Sequence, residues 1–148
     1  MQFPHIVSLA REYSQRCANE TRRQEISMAS PVVHFEIGAK DVEKLINFYS
    51  SVFEWEISPL TDDLYIADPR SEEGIEGHLF QINREDDFSN LVLIYVQVDD
   101  IWGCLEQAED LGGKIIIQPQ EIPGNASHYA LFNDPSGNSI GLLQKRLS

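Results

Sequence analysis

The sequence predicts an α+β fold built from two tandem βαβββ modules, and three observations lead there. The run Val32–Tyr49, VVHFEIGAKDVEKLINFY, is echoed 59 residues later by Leu91–Ala108, LVLIYVQVDDIWGCLEQA. A self-match of this span implies duplicated architecture. In both copies a period-two apolar strand runs into an Asp-initiated helical stripe, with Asp41 matching Asp100, Val42 matching Ile101, and Ile46 matching Leu105. Three short alternating segments then follow each helix.

The first module opens with a strand that carries Val33, Phe35 and Ile37 on one face and His34 and Glu36 on the other. Its helix is expected to bury Val42, Leu45, Ile46, Tyr49, Val52 and Phe53. Trp55, Ile57 and Leu60 alternate with polar residues as a half-buried strand, and Thr61-Asp62-Asp63 reads as a turn. A strand at Leu64–Ala67, an acidic glycine-containing loop and a fourth strand at Gly77–Ile82 complete the unit, and NREDDFSN links it to the next. The second module repeats the order with a strand at Leu91–Val98 and a helix at Asp100–Leu111. That helix is stopped by Gly112-Gly113, since glycine tolerates left-handed backbone. A strand at Lys114–Gln118, a Pro/Gly loop, a strand at Tyr129–Asn133, a type I turn at Asp134–Gly137 and a strand at Asn138–Gln144 follow.

At 148 residues the chain is long enough for one self-sufficient core, which the two modules are expected to share. Residues 1–30 form an N-terminal extension outside the repeat. They show a helical stripe, Ile6, Leu9, Ala10, Tyr13 and Cys17, read as a mobile or surface-docked helix, and Met28 would serve as a natural start. The globular domain spans 31–148, with modules at 31–84 and 90–148. There is neither an apolar run of about 18 residues nor a basic-then-apolar leader pattern, which predicts a cytoplasmic protein. Two cysteines, Cys17 and Cys104, are too few for a disulfide framework and read as free thiols. The net charge is −13, and four Arg against three Glu leave the first 30 residues at +1. A body this acidic repels phosphates, which excludes nucleic acid and anionic membrane as partners.

The segments HFEIGAKDVEKLINFYSSVFEW and FNDPSGNSIGLL, in the βαβββ duplication over residues 31–144, resemble the vicinal oxygen chelate superfamily, which includes glyoxalases, bleomycin-resistance proteins and extradiol dioxygenases. The sequence looks most like the branch related to lactoylglutathione lyase. The resemblance implies a U-shaped eight-stranded mixed sheet around a cavity, a homodimer, and a divalent metal held by one residue from each of four strands. Matched by spacing, those positions fall on His34, Gln81, Leu93 and Gly141. Leucine and glycine offer no side-chain donor, so the second module has lost its ligands and the metal site is degenerate.

The candidate ligand-binding residues are therefore His34, Glu36, Gln81, Leu93, Tyr95 and Gly141. Three roles stay open for His34: a histidine satisfied by a polar neighbour, a metal ligand, or a general base beside Glu36. Glu36 reaches water or pairs with His34, and Tyr95 occupies the matching slot of the second module. His78 alternates away from Gln81 and is expected off the cavity face; His5 and His128 have no matching partners. Trp55 and Trp102 read as core or interface residues, and the acidic clusters as solvated loops. No P-loop, dinucleotide-binding glycine pattern or serine nucleophile elbow occurs.

Two functions from different classes follow. One is a small-molecule-binding protein of glyoxalase and bleomycin-resistance type that needs no metal. The other is a metal-dependent lyase, isomerase or dioxygenase acting on a small oxygenated substrate with His34, Gln81 and Glu36. A third, an adaptor working through the N-terminal helix, rests on that stripe alone.

Overall fold

A computed structural model describes residues 29–124 and 126–145, so the readings on the N-terminal extension and on Cys17 and His5 lie outside the described residues. The elements are β1 (Val32–Ala39), α1 (Val42–Phe53), β2 (Glu56–Pro59), β3 (Leu64–Asp68), β4 (Gly77–Gln81), β5 (Asn90–Gln97), α2 (Ile101–Asp110), β6 (Lys114–Glu121), β7 (His128–Asn133) and β8 (Ser139–Gln144). This is the duplicated βαβββ order. The strands form one eight-stranded mixed sheet, β2-β3-β4-β1-β5-β8-β7-β6, whose order mirrors itself about the β1/β5 boundary. β1 and β5 pair antiparallel, while each has a parallel partner from its own module, β4 and β8 respectively.

The helices begin where the sequence gives them a cap. Asp41 Oδ1 accepts from the Lys44 N–H, and Asp100 Oδ1 accepts from the N–H groups of Trp102 and Gly103. Each satisfies donors that a helix start leaves without partners. α2 ends into Gly112, which adopts φ +93°, and Gly113 packs so closely that a Cβ there would lie 2.8 Å from the Ala108 carbonyl oxygen. At the last turn Asp134 Oδ1 accepts from the N–H groups of Ser136 and Asn138, and Gly137 takes φ +91°.

Strand pairing assigns the two faces of the sheet. Phe35 lies opposite Ile94 and His34 opposite Tyr95, and directly paired side chains share a face. Phe35, Ile37 and Leu79 pack with Val42, Leu45, Ile46 and Tyr49 of α1, whereas Val96, Ala130 and Leu142 pack with Ile101 and Leu105 of α2. Both helices therefore cover one face, and His34, Glu36 and Tyr95 stand on the other. The expectation of one shared core is corrected: each helix closes its own cluster over its own half-sheet.

Other differences are local. Val52 and Phe53, expected to be buried by α1, are more than half exposed, as is Leu60 after β2. β6 extends to Glu121 through Pro119, which an outermost strand accepts because one side of its ladder is unpaired. Trp55 packs in the first core, stacked on Tyr49, while Trp102 is exposed. The Cys104 thiol is half-buried against the second core, and burial, with Asp100 nearby, pushes its pKa up. No helix among the described residues is long and apolar enough to cross a membrane.

Candidate functional site

The helix-free face closes round a cavity of about 620 Å³, lined by His34 and Glu36 of β1, His78 of β4, Tyr95 of β5, Tyr129 of β7, Leu143 of β8, and Ile122, Ser127 and Lys145. Four of its polar residues, His34, Glu36, His78 and Tyr95, gather on one wall. Alternation along β1 aims His34 and Glu36 there, and the parallel register that sets His78 beside Glu36 adds the second imidazole.

The side chains meet. His34 Nε2 lies 3.1 Å from His78 Nδ1, one nitrogen donating and the other accepting according to tautomer. The same His78 nitrogen is 3.9 Å from Glu36 Oε1. On the other carboxylate oxygen, Oε2, Glu36 accepts from the Tyr95 hydroxyl at 2.9 Å. One nitrogen of each imidazole and a Glu36 oxygen all lie within 4.8 Å of one another.

The electrostatics follow from that crowding. Burial lowers the His34 pKa, and the neighbouring His78 lowers it further against the opposing pull of Glu36. Burial by itself would raise Glu36, but His78, the Tyr95 hydroxyl and the charge of His34 outweigh it and hold the carboxyl below its ordinary range. Tyr95 is pushed well above the usual phenol range by burial and then by Glu36, so at neutral pH it keeps its proton and donates it to the carboxylate.

Of the residues singled out from the sequence, His34, Glu36 and Tyr95 line this cavity together. Gln81 does not. Its Oε1 accepts from the Val42 N–H and its Nε2 donates to the carbonyls of Lys40 and Ile82, so it ties the end of β4 to the start of α1. Gln144 does the same in the second module, where its Oε1 accepts from the Ile101 N–H at 2.8 Å. The counterpart of Gln81 is thus Gln144, and the counterpart of Gly141 is His78, as the pairings Glu36 with His78 and Tyr95 with Gly141 also require. Leu93 is buried beside this wall at 3 % exposure. Gly141 is buried too, with the Tyr95 ring lying so close over it that a Cβ there would come within 2.3 Å of the ring's Cδ1.

His78, expected off the cavity face, is on it. Alternation along β4 does put His78 and Gln81 on opposite sides, but it is the His78 side that faces the cavity. The residues available to hold a metal therefore differ from the expected His34, Gln81 and Glu36 in one place, for His78 stands where Gln81 was expected. Two imidazoles and one carboxylate suit a borderline divalent ion such as zinc, iron(II) or manganese(II). Two donors on one such ion at about 2.0 to 2.1 Å stand roughly 3.0 to 3.4 Å apart. The 3.1 Å between the imidazole nitrogens fits that spacing, and Glu36 Oε1, 3.9 Å from His78 Nδ1, lies just beyond it. All three donors come from the first module.

Comparison with known proteins follows the same lines. The family model described as the Glyoxalase/Bleomycin resistance protein/Dioxygenase superfamily matches residues 32–142. The anthracycline biosynthesis protein DnrV of Streptomyces peucetius is 21 % identical over 126 residues, covering 75 % of this chain and 46 % of its own. The chain thus spans about half the length of the curated relatives it matches. Among solved structures, a glyoxalase/bleomycin resistance protein/dioxygenase superfamily member from Vibrio splendidus 12B01 aligns with a TM-score of 0.58 at 18 % identity, over 79 % of this chain and 100 % of that one. A methylmalonyl-CoA epimerase from Mycobacterium tuberculosis aligns with a TM-score of 0.55 at 14 % identity, over 85 % and 95 %. At such identities these likenesses speak for the fold.

Proposed function

Because the chain belongs to the glyoxalase/bleomycin resistance protein/dioxygenase superfamily, we propose that its cavity binds a small oxygenated organic molecule over a divalent metal ion held by His34, Glu36 and His78, and that the protein is a metal-dependent lyase, isomerase or dioxygenase. The observation that carries this reading is the convergence of two imidazole nitrogens and a carboxylate oxygen on one wall of a cavity sized for a small ligand. When bound, such an ion supplies a Lewis acid that polarises a substrate oxygen. The chain supplies the rest. Ile122, Tyr129 and Leu143 form an apolar wall that orients the ligand and excludes water, and Lys145 at the cavity gives an anionic substituent a partner. Supporting the substrate class, one neighbour is an epimerase of methylmalonyl-CoA, and the name of one relative places it in anthracycline biosynthesis.

A second reading has its own observation. The imidazoles face each other and Tyr95 already satisfies Glu36, and among the described residues no buried side-chain nitrogen or oxygen lacks a hydrogen-bond partner. On that reading the cavity is a metal-free binding site of bleomycin-resistance type. In either case we place the protein in the cytoplasm as a homodimer; the absence of a cysteine framework supports the first, and exposed apolar residues on the helix-bearing face support the second.

Elemental analysis of protein purified without added metal or chelator, followed by cobalt(II) titration, decides between them. About one ion per chain, lost in both His34→Ala and His78→Ala, is the expected result. Failure of the wild-type protein to bind cobalt or zinc at micromolar concentration would overturn the metal reading and leave the second.

A further inference from the structure

The structure assigns Tyr95 a positioning role: it fixes Glu36 as a donor through one oxygen only, and Gly141 is the residue that makes room for it. This inference rests on the metal reading above. Tyr95 and Glu36 are counterparts across the pseudo-twofold, 59 residues apart, so their hydrogen bond joins the two modules. The hydroxyl takes Oε2 at 2.9 Å and leaves Oε1 on the side of His78 Nδ1, the nitrogen that also faces His34. An unrestrained glutamate can turn about its terminal bond and offer either oxygen, or both. With Oε2 held, Glu36 presents a single oxygen in a fixed direction, and hydrogen bonds of this kind to ligating carboxylates tune metal sites.

Tyr95 can do this only because of what faces it in β8. Its ring lies directly over Gly141, on the volume that any side chain there would need. His78 holds the corresponding place in the first module. The second module has thus given up a side chain at this position for space, and the tyrosine fills it while reaching across to its counterpart. The loss of donors at Leu93 and Gly141 and the presence of Tyr95 are then one arrangement, in which the first module supplies the donors and the second aims them.

The test compares wild type, Tyr95→Phe and Gly141→Ala by titration with cobalt(II), following the visible absorption band, and with zinc(II) by competition. Tyr95→Phe keeps the ring over Gly141 and removes only the hydroxyl. It should weaken metal binding by about 10- to 100-fold and alter the cobalt band, while the metal-free protein, short of one hydrogen bond to a carboxylate, still melts cooperatively at a somewhat lower midpoint. Gly141→Ala, which displaces the ring, should shift affinity and band in the same direction. Wild-type affinity and an unaltered band in Tyr95→Phe would overturn the positioning role while leaving the metal reading intact. A wild-type protein that binds neither ion would remove both.

Discussion

Glu36 sits among two imidazoles and a phenol in a half-buried wall, and the balance of those contacts gives the metal-free protein a defined acid sensitivity. Its folded pKa lies below the ordinary 4.5, so its stabilising contribution is complete above that value and is lost as pH falls through the folded pKa. His34 is likewise depressed from 6.5, so the unfolded chain takes up its proton first and stability begins to decline as pH drops below about 6.5. Both act in the same direction. Thermal melts in chelator should show a midpoint falling from pH 7.5 to 4, and His34→Gln should flatten the upper part of that decline, which begins below about pH 6.5; an unchanged profile in the variant would remove His34 as its source. His34, Glu36 and Tyr95 were legible in the sequence because alternation alone sets their face. His78 was legible too, had the fourth strands been matched on HLFQ and GLLQ, which align Gln81 with Gln144 and His78 with Gly141. What no spacing reveals is that a glutamine at a strand end turns its amide toward a helix start instead of into the cavity.

Each helix is held by an aspartate at its start, a glutamine reaching in from the strand beneath, and an apolar stripe against its own half-sheet. Because Gln81 serves the helix through three hydrogen bonds, Gln81→Ala should lower stability by about 1.5 to 4 kcal/mol and leave cobalt affinity unchanged, whereas His78→Ala should abolish cobalt binding at a smaller cost in stability. Urea denaturation and metal titration of the two variants check the exchange of roles. The separate cores make a second prediction at this scale. Leu79 and Leu105 are both fully buried, one in each cluster, so truncating either to alanine should cost about 2 to 5 kcal/mol. With no shared packing partners, the two effects should add to within about 0.5 kcal/mol in the double variant, provided it still folds enough to melt. A large deviation from additivity would restore the single core that chain length suggested. Helix starts and strand order were readable from capping residues and period, which are local. The separation of the cores was not, because it depends on how far the two half-sheets stand apart.

At the scale of the whole molecule the pseudo-twofold puts the cavity on one face and both helices on the other, and the helix-bearing face is incompletely covered among the described residues. Val92 is 66 % exposed and Phe48 56 %, with Val52 and Ile94 also open, and a groove between α1 and the centre of the sheet is lined by Ile37, Leu45, Tyr49, Leu91 and Val92. An apolar groove with exposed apolar residues of this kind on the same face suits an association site. If it joins two copies, the sedimentation mass at micromolar concentration should be twice the 16.8 kDa of one chain. Val92→Asp, which would place a charge in the centre of that contact, should weaken association by about tenfold or more. Since the cavity opens on the opposite face, the same variant should keep wild-type cobalt affinity, which separates loss of assembly from loss of fold. The chain shortened to begin at Met28 supplies the remaining comparison. If it stays dimeric with an unchanged melting midpoint, residues 1–27 contribute nothing to this face. A midpoint lowered by more than about 8 °C would instead show that the extension belongs to the core and that the domain does not begin at residue 31, since a few kilocalories of apolar burial shift a domain of this size by that much.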